Sequence, residues 1–137
     1  MRVVADANVL VSAALGRSPN APSVRILNAA FDERIELVIS PALLAEVADV
    51  LARPRIRRRV SAEDAQQFLT DIVGVAAVVA DPADPPGVCR DPDDDYLVAL
   101  TAASGAVVLV TGDDDLFAVE IGGQVEVLRP RELADRL

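Results

Sequence analysis

The chain predicts an α/β fold, a three-layer α/β/α sandwich around a mostly parallel central sheet. Short uninterrupted apolar runs, bounded by acids or turn residues, read as strands buried on both faces. Helical stretches lie between them, and strands alternating with helices imply parallel pairing. At 137 residues, 52% hydrophobic and 26% charged, the sequence has the length and apolar volume of one globular domain, 1–137.

The first strand is Arg2-Val3-Val4-Ala5, stopping at Asp6. Ser23 to Asp32 is helical, with Pro22 near its start. Leu37-Val38-Ile39 is a second buried strand. Ser40-Pro41 then supplies a cap and a proline at the first helical position, and that helix runs to about Leu51 before Arg53-Pro54 ends it. Ser61 with Asp64 resembles a capping box opening a helix that fades near Gly74, and Val75 to Ala80 reads as a third strand. Asp81 to Arg90, with three prolines and a glycine, is a loop. Asp91-Pro92 caps and starts a helix that continues through Ala103 and stops at Gly105. Val107 to Val110 is the clearest strand, Gln124 to Leu128 the last, and Pro130 begins a terminal helix. Neither an internal repeat nor a membrane span nor a signal peptide is expected.

Missing residue types bound the chemistry. His is absent, and all 13 basic residues are Arg because no Lys occurs. Histidine general bases, Ser-His-Asp triads, P-loop lysines and Schiff-base lysines are therefore excluded. A lone Cys89 forms neither an internal disulfide nor a zinc cluster, which fits a reduced, cytoplasmic setting. The net charge of −9 arises wholly in residues 76–137. It argues against simple electrostatic binding of nucleic acid but leaves room for a local basic groove.

In an open α/β sheet, ligands bind beyond the carboxyl ends of the strands. Asp6 and Asp113 stand at such ends, where Asp also serves as a cap or turn residue. After Pro41, Leu43, Val47 and Val50 line one helix face, and Glu46 falls inside that stripe. A carboxylate there needs a partner, the mouth of a cleft, or the solvated end of the stripe. From Asp95 the residues three, four and seven along are Val98, Ala99 and Ala102, all apolar. This phase puts Asp95 on the buried face, unless it is one more acid favoured by the helix dipole. Asp91 reads as the cap, and Asp93 and Asp94 as exposed acids. Acids gathered at one sheet edge raise one another's pKa, and a hard cation such as Mg²⁺ or Mn²⁺ relieves the conflict with oxygen ligands. Such a site activates water for phosphoryl displacement without His or Lys, so phosphodiester hydrolysis is the natural reaction class.

Asp6-Ala7-Asn8, Glu46, Asp95-Tyr96-Leu97-Val98-Ala99 and Thr111-Gly112-Asp113-Asp114-Asp115 resemble, in order and spacing, the acidic motifs of PIN-domain ribonucleases. The resemblance spans nearly the whole chain and is greatest to the VapC-like toxins of bacterial toxin–antitoxin pairs. It implies a PIN-like fold, Mg²⁺-dependent endonucleolytic cleavage of RNA, inhibition by a cognate antitoxin protein, and homodimerisation. By position, Asp6, Glu46, Asp95 and Asp113 match the family's catalytic acids. Asp6 and Asp95 are then the expected direct metal ligands, while Glu46 and Asp113 order bound water or a second ion. Asp115 matches an acid present in many members and joins Asp113 in the metal set. Asn8 positions Asp6 or caps the following helix; Thr111 hydrogen-bonds an active-site carboxylate or is a plain strand-end threonine.

Arg53 to Arg59 holds five arginines in seven residues. Arg55, Arg57 and Arg58 are the candidate phosphate contacts, or a surface for an acidic antitoxin segment, against the alternative of a solvated helix face. At 3% aromatic content, base stacking contributes little. Two other classes compete: a nonhydrolytic, metal-stabilised RNA- or protein-binding module, and a phosphoacceptor receiver domain, which normally needs a lysine. A haloacid-dehalogenase phosphatase is disfavoured because Asn8 stands where its second Asp should.

Overall fold

Five short apolar segments form one sheet in a computed structural model that describes residues 1–83 and 92–137. They are β1 (Arg2–Ala5), β2 (Glu36–Ile39), β3 (Ala77–Val78), β4 (Val108–Val110) and β5 (Glu126–Leu128). Their order is β3-β2-β1-β4-β5, and all four pairings are parallel. The register sets Val3 between Leu37 and Val108, so β1 is central. Val3, Val4 and Ala5 are fully buried, as the unbroken apolar run requires of a strand covered on both faces.

Among the described residues seven helices connect and cover the strands: α1 (Ala7–Leu15), α2 (Pro22–Phe31), α3 (Pro41–Leu51), α4 (Pro54–Arg57), α5 (Ala62–Val75), α6 (Pro92–Ala103) and α7 (Pro130–Asp135). A 3₁₀ turn, Asp114–Ala118, follows β4. Helix α1 packs on α2 and α3, α2 on α7, and α5 on α3 and β2. α6 lies against β1; because its connection reverses direction across the sheet, the right-handed crossover rule puts it on the opposite face. The layers are therefore α/β/α. Between them sit Leu37, Ile39, Leu43, Leu51, Ile72, Leu100, Leu109, Leu116 and Leu133, all fully buried. Each contributes about 1.5–3 kcal/mol of transfer free energy.

Some elements differ from the sequence expectation. α1 was not expected, and it starts directly on Asp6, which caps it. The third strand shrinks from Val75–Ala80 to Ala77–Val78 because α5 runs on through Val75. This is an edge strand, and Val78 stays 59% exposed. Ser40 and Ser61 cap α3 and α5 through the amides of Leu43 and Asp64. Gly105, at φ +74°, takes the left-handed conformation just past α6. The cap expected of Asp91, Cys89, and the loop beyond Ala83 lie outside the described residues.

Candidate metal centre

The strand order reverses between β1 and β4, and the crevice beyond their carboxyl ends is where such sheets bind ligands. Asp6 is the residue after β1. Its amide extends the ladder by donating to the Val110 carbonyl at 3.1 Å. Its carboxylate is gripped at both oxygens: Oδ1 accepts the Val9 amide at 2.8 Å, and Oδ2 accepts the Thr111 hydroxyl. Thr111 in turn accepts the Asp113 amide at 3.0 Å. Asp6 is thus both a helix cap and a cleft acid. Burial pushes its carboxyl above the ordinary value; the bonds from Thr111 and Val9 oppose this, and the charge of Asp113 adds to it.

Asp6 opens onto a cleft of about 550 Å³, lined also by Asn8, Glu46, Asp93, Asp94 and Asp113. Glu46 reaches it from the Leu43–Val47–Val50 stripe of α3, half-buried. From α6 the lining acids are Asp93 and Asp94. The structure buries Asp95, as its phase predicts, and buries Asp94 beside it. Asp94, expected at the surface, is 6% exposed; Asp95 is buried as well but is not among the residues lining the cleft. The buried residues of α6 are Asp94, Asp95, Leu97, Val98, Leu100 and Thr101, whereas Ala102 of the expected stripe is exposed. Leucines outbid alanines for the core, because burial free energy scales with apolar area. The carboxylate oxygens of Asp94, Asp113 and Asp115 lie within 4.8 Å of one another.

Two clamps hold these acids in place. On one side the hydroxyls of Tyr96 and Ser40 bond to each other, and Tyr96 also donates to Asp81 Oδ1 at 2.5 Å. That same oxygen accepts the Ala42 amide at 3.0 Å, so the first turns of α3 and α6 are tied through one carboxylate. Burial and the Asp81 bond push the Tyr96 hydroxyl up to about 12, and the bond from Tyr96 lowers Asp81. On the other side Arg129 pairs with Asp114 at 2.5 Å and covers the Phe117 ring at 4.5 Å. Asp114 is so turned to Arg129 while Asp113 Oδ1 accepts the Asp115 amide at 3.0 Å. Sequence reading missed Asp94 and Tyr96; the stripe beginning at Asp94 was the available signal for the first.

The arginine run does not line this cleft. It begins at the far end of α3, whose 11 residues span roughly 16 Å. Arg55 and Arg58 are exposed, and Arg57 buries one guanidinium nitrogen, Nη1, that has no hydrogen-bond partner among the described residues.

The donor set suits a hard divalent cation. All its charged groups are carboxylates, no His is available, and Asn8 adds a neutral oxygen. A buried acid held above its ordinary pKa by desolvation and a like charge is one that a cation stabilises.

Known proteins resemble this chain to different degrees. The uncharacterized protein MJ1680 of Methanocaldococcus jannaschii is 30% identical over 119 residues, covering 87% of this chain and 75% of its own length. The crystal structure of PAE2754 from Pyrobaculum aerophilum superposes with a TM-score of 0.64 at 20% identity, over 99% of this chain and 88% of that one. A chain of VapBC2 from Rickettsia felis, a structure bound to a DNA fragment from its promoter, gives 0.63 at 17% identity, over 94% and 98%. A family model described as PIN domain matches residues 2–115, from β1 through the acids that follow β4, and the chain belongs to that family.

Proposed function

We infer that the protein is a metal-dependent endoribonuclease and the toxin half of a toxin–antitoxin pair. One observation carries the catalytic part. Carboxylates from four separate elements, the end of β1, α3, α6 and the turn after β4, converge on one cleft in a chain with neither His nor Lys. PIN domains are in general nucleases, which supports the reaction class. The fold shared with a VapBC chain supports a protein antitoxin as partner. RNA as substrate, a homodimer and a cytoplasmic setting belong to the same reading.

Asp94, Asp113 and Asp115 would hold the ion, Mg²⁺ or Mn²⁺, with Asp6 and Glu46 beside them. Bound there, such an ion supplies Lewis acidity at the phosphate and lowers the pKa of water. The residues themselves orient. Thr111 and Val9 immobilise the Asp6 carboxylate, and Asn8 stands at the cleft wall within reach of a substrate. In the reaction a water oxygen forms a new P–O bond as one ester P–O bond breaks, leaving a phosphate monoester and a hydroxyl. Arg55, Arg57 and Arg58 would serve only an RNA long enough to pass from the cleft to the end of α3.

The test is cleavage of a structured RNA mixture with Mg²⁺ or Mn²⁺, wild type against an identically purified Asp6→Asn, with an EDTA control. Metal-dependent cutting should fall on the order of 10³-fold in the variant. Equal cutting by both proteins, or cutting in EDTA, overturns the reading. Stabilisation by Mg²⁺ without any cleavage would instead favour a nonhydrolytic binding module.

A further inference from the structure

Beside the acidic cleft lies a second concavity of different chemistry. It measures about 330 Å³, within the range that accepts one small ligand or a part of a larger one. Asn8 and Gly112 belong to the walls of both, so the two adjoin. Beyond that shared rim the walls turn apolar. Val9 comes from α1, Ala21 and Pro22 from the start of α2, and Pro130 from the start of α7. Three neutral polar groups interrupt them: the Asn8 amide and the hydroxyls of Ser12 and Ser23, which lie 3.2 Å apart.

A wall of carboxylates thus gives way, over a single shared rim, to an apolar slot edged by neutral donors and acceptors. A ligand filling both must seek a cation at one end and present a flat apolar body with polar edges at the other. A phosphodiester with its neighbouring nucleobase has that form. An acidic peptide matches the cation-seeking end alone, because its carboxylates and polar backbone offer no flat apolar body to the slot.

We propose that this slot is the subsite for the nucleobase next to the scissile phosphate. Ala21, Pro22 and Pro130 pack against the faces of the base, and Asn8, Ser12 and Ser23 meet its edge. Neutral groups of this kind discriminate bases by the hydrogen bonds left unmade with the wrong one. The slot has no aromatic residue in its wall, so it grips by van der Waals contact and not by ring stacking. The proposal rests on the nuclease reading for its link to cleavage.

Each of the four nucleoside 5′-monophosphates, titrated with Mg²⁺ into ¹⁵N-labelled protein, provides the test. Amide shifts are expected at Ser12, Ser23 and Gly112, with one or two bases bound about tenfold more tightly than the rest. Ala21→Leu, and independently Ser12→Leu, should fill the slot and abolish those shifts while Mg²⁺ still moves the amides of Asp113 and Asp115. On RNA, the filled variants should lose about tenfold in kcat/KM at the preferred site and flatten the preference beside the cut. Shifts confined to the acidic cleft, or an unchanged cleavage preference in both folded variants, overturn the proposal and leave the slot to an apolar side chain of a partner protein. Nucleotide binding in the slot with no RNA hydrolysis would sink the nuclease reading and keep the subsite.

Discussion

Carboxylates enter the cleft from two places built on different principles. At the exit of β1, Asp6 is located by the sheet itself: its amide continues the ladder to Val110, and both carboxylate oxygens are bonded. At the first turn of α6, three successive acids follow one another at about 100° around the helix. Which of them faces the cleft depends on what the rest of α6 packs against. A strand end places a side chain by register alone; a helix places it by the sum of its burial.

The sharpest way to break this contrast is to neutralise the α6 acids one at a time. Asp94→Asn should lower RNA cleavage by about 10²–10³-fold, and Asp95→Asn by no more than about threefold. Equal losses in a steady-state assay would mean that α6 does not select one acid. Next in size is Thr111→Val, which strips the donor from Asp6 Oδ2 and should cost about 10–100-fold in activity or metal affinity. Tyr96→Phe tests the helix side. Losing its bonds to Ser40 and Asp81 should raise the Mg²⁺ concentration for half-maximal rate about tenfold, with the maximal rate little changed. A fall in maximal rate with an unchanged metal requirement would separate the clamp from the ion.

The smallest effect concerns stability. Because the folded state holds the Asp6 pKa above its unfolded value, the native protein binds the extra proton. Stability is therefore lost as pH rises from about the unfolded carboxylate value through the raised one. Asp6→Asn removes that loss and should raise Tm at neutral pH by about 2–5 °C in calorimetry. Added Mg²⁺ should narrow the gap by stabilising the wild type more. A variant less stable than wild type at neutral pH would show that capping α1 outweighs the buried charge.

What could be read from the sequence follows the same division. Asp6 and Asp113 came from strand ends, the parallel pairing from the alternation of strands with helices, and Glu46 from a stripe with a strong contrast between large apolar and charged residues. α1 was hidden because Ala7 to Leu15 is apolar almost throughout, and two polar residues, Asn8 and Ser12, are too few to mark a period. Asp94 was hidden because Ala99 and Ala102 counted as apolar, although small residues tolerate the surface. Tyr96 was invisible for a different reason. Its partners, Ser40 and Asp81, are 56 and 15 positions away, and no local pattern records such a meeting. The arginine run was legible as a charge cluster, but its distance from the cleft depends on the direction of α3.

The bond between Asp6 and Thr111 joins residues 105 positions apart. On a ribosome the first acid is made early and waits for β4, which must be synthesised and slotted beside β1 before the cleft has its second wall. A nascent chain ending at Ala103 has neither Thr111 nor Asp113. The acidic cleft therefore comes into being late in translation, only once β4 has been laid beside β1.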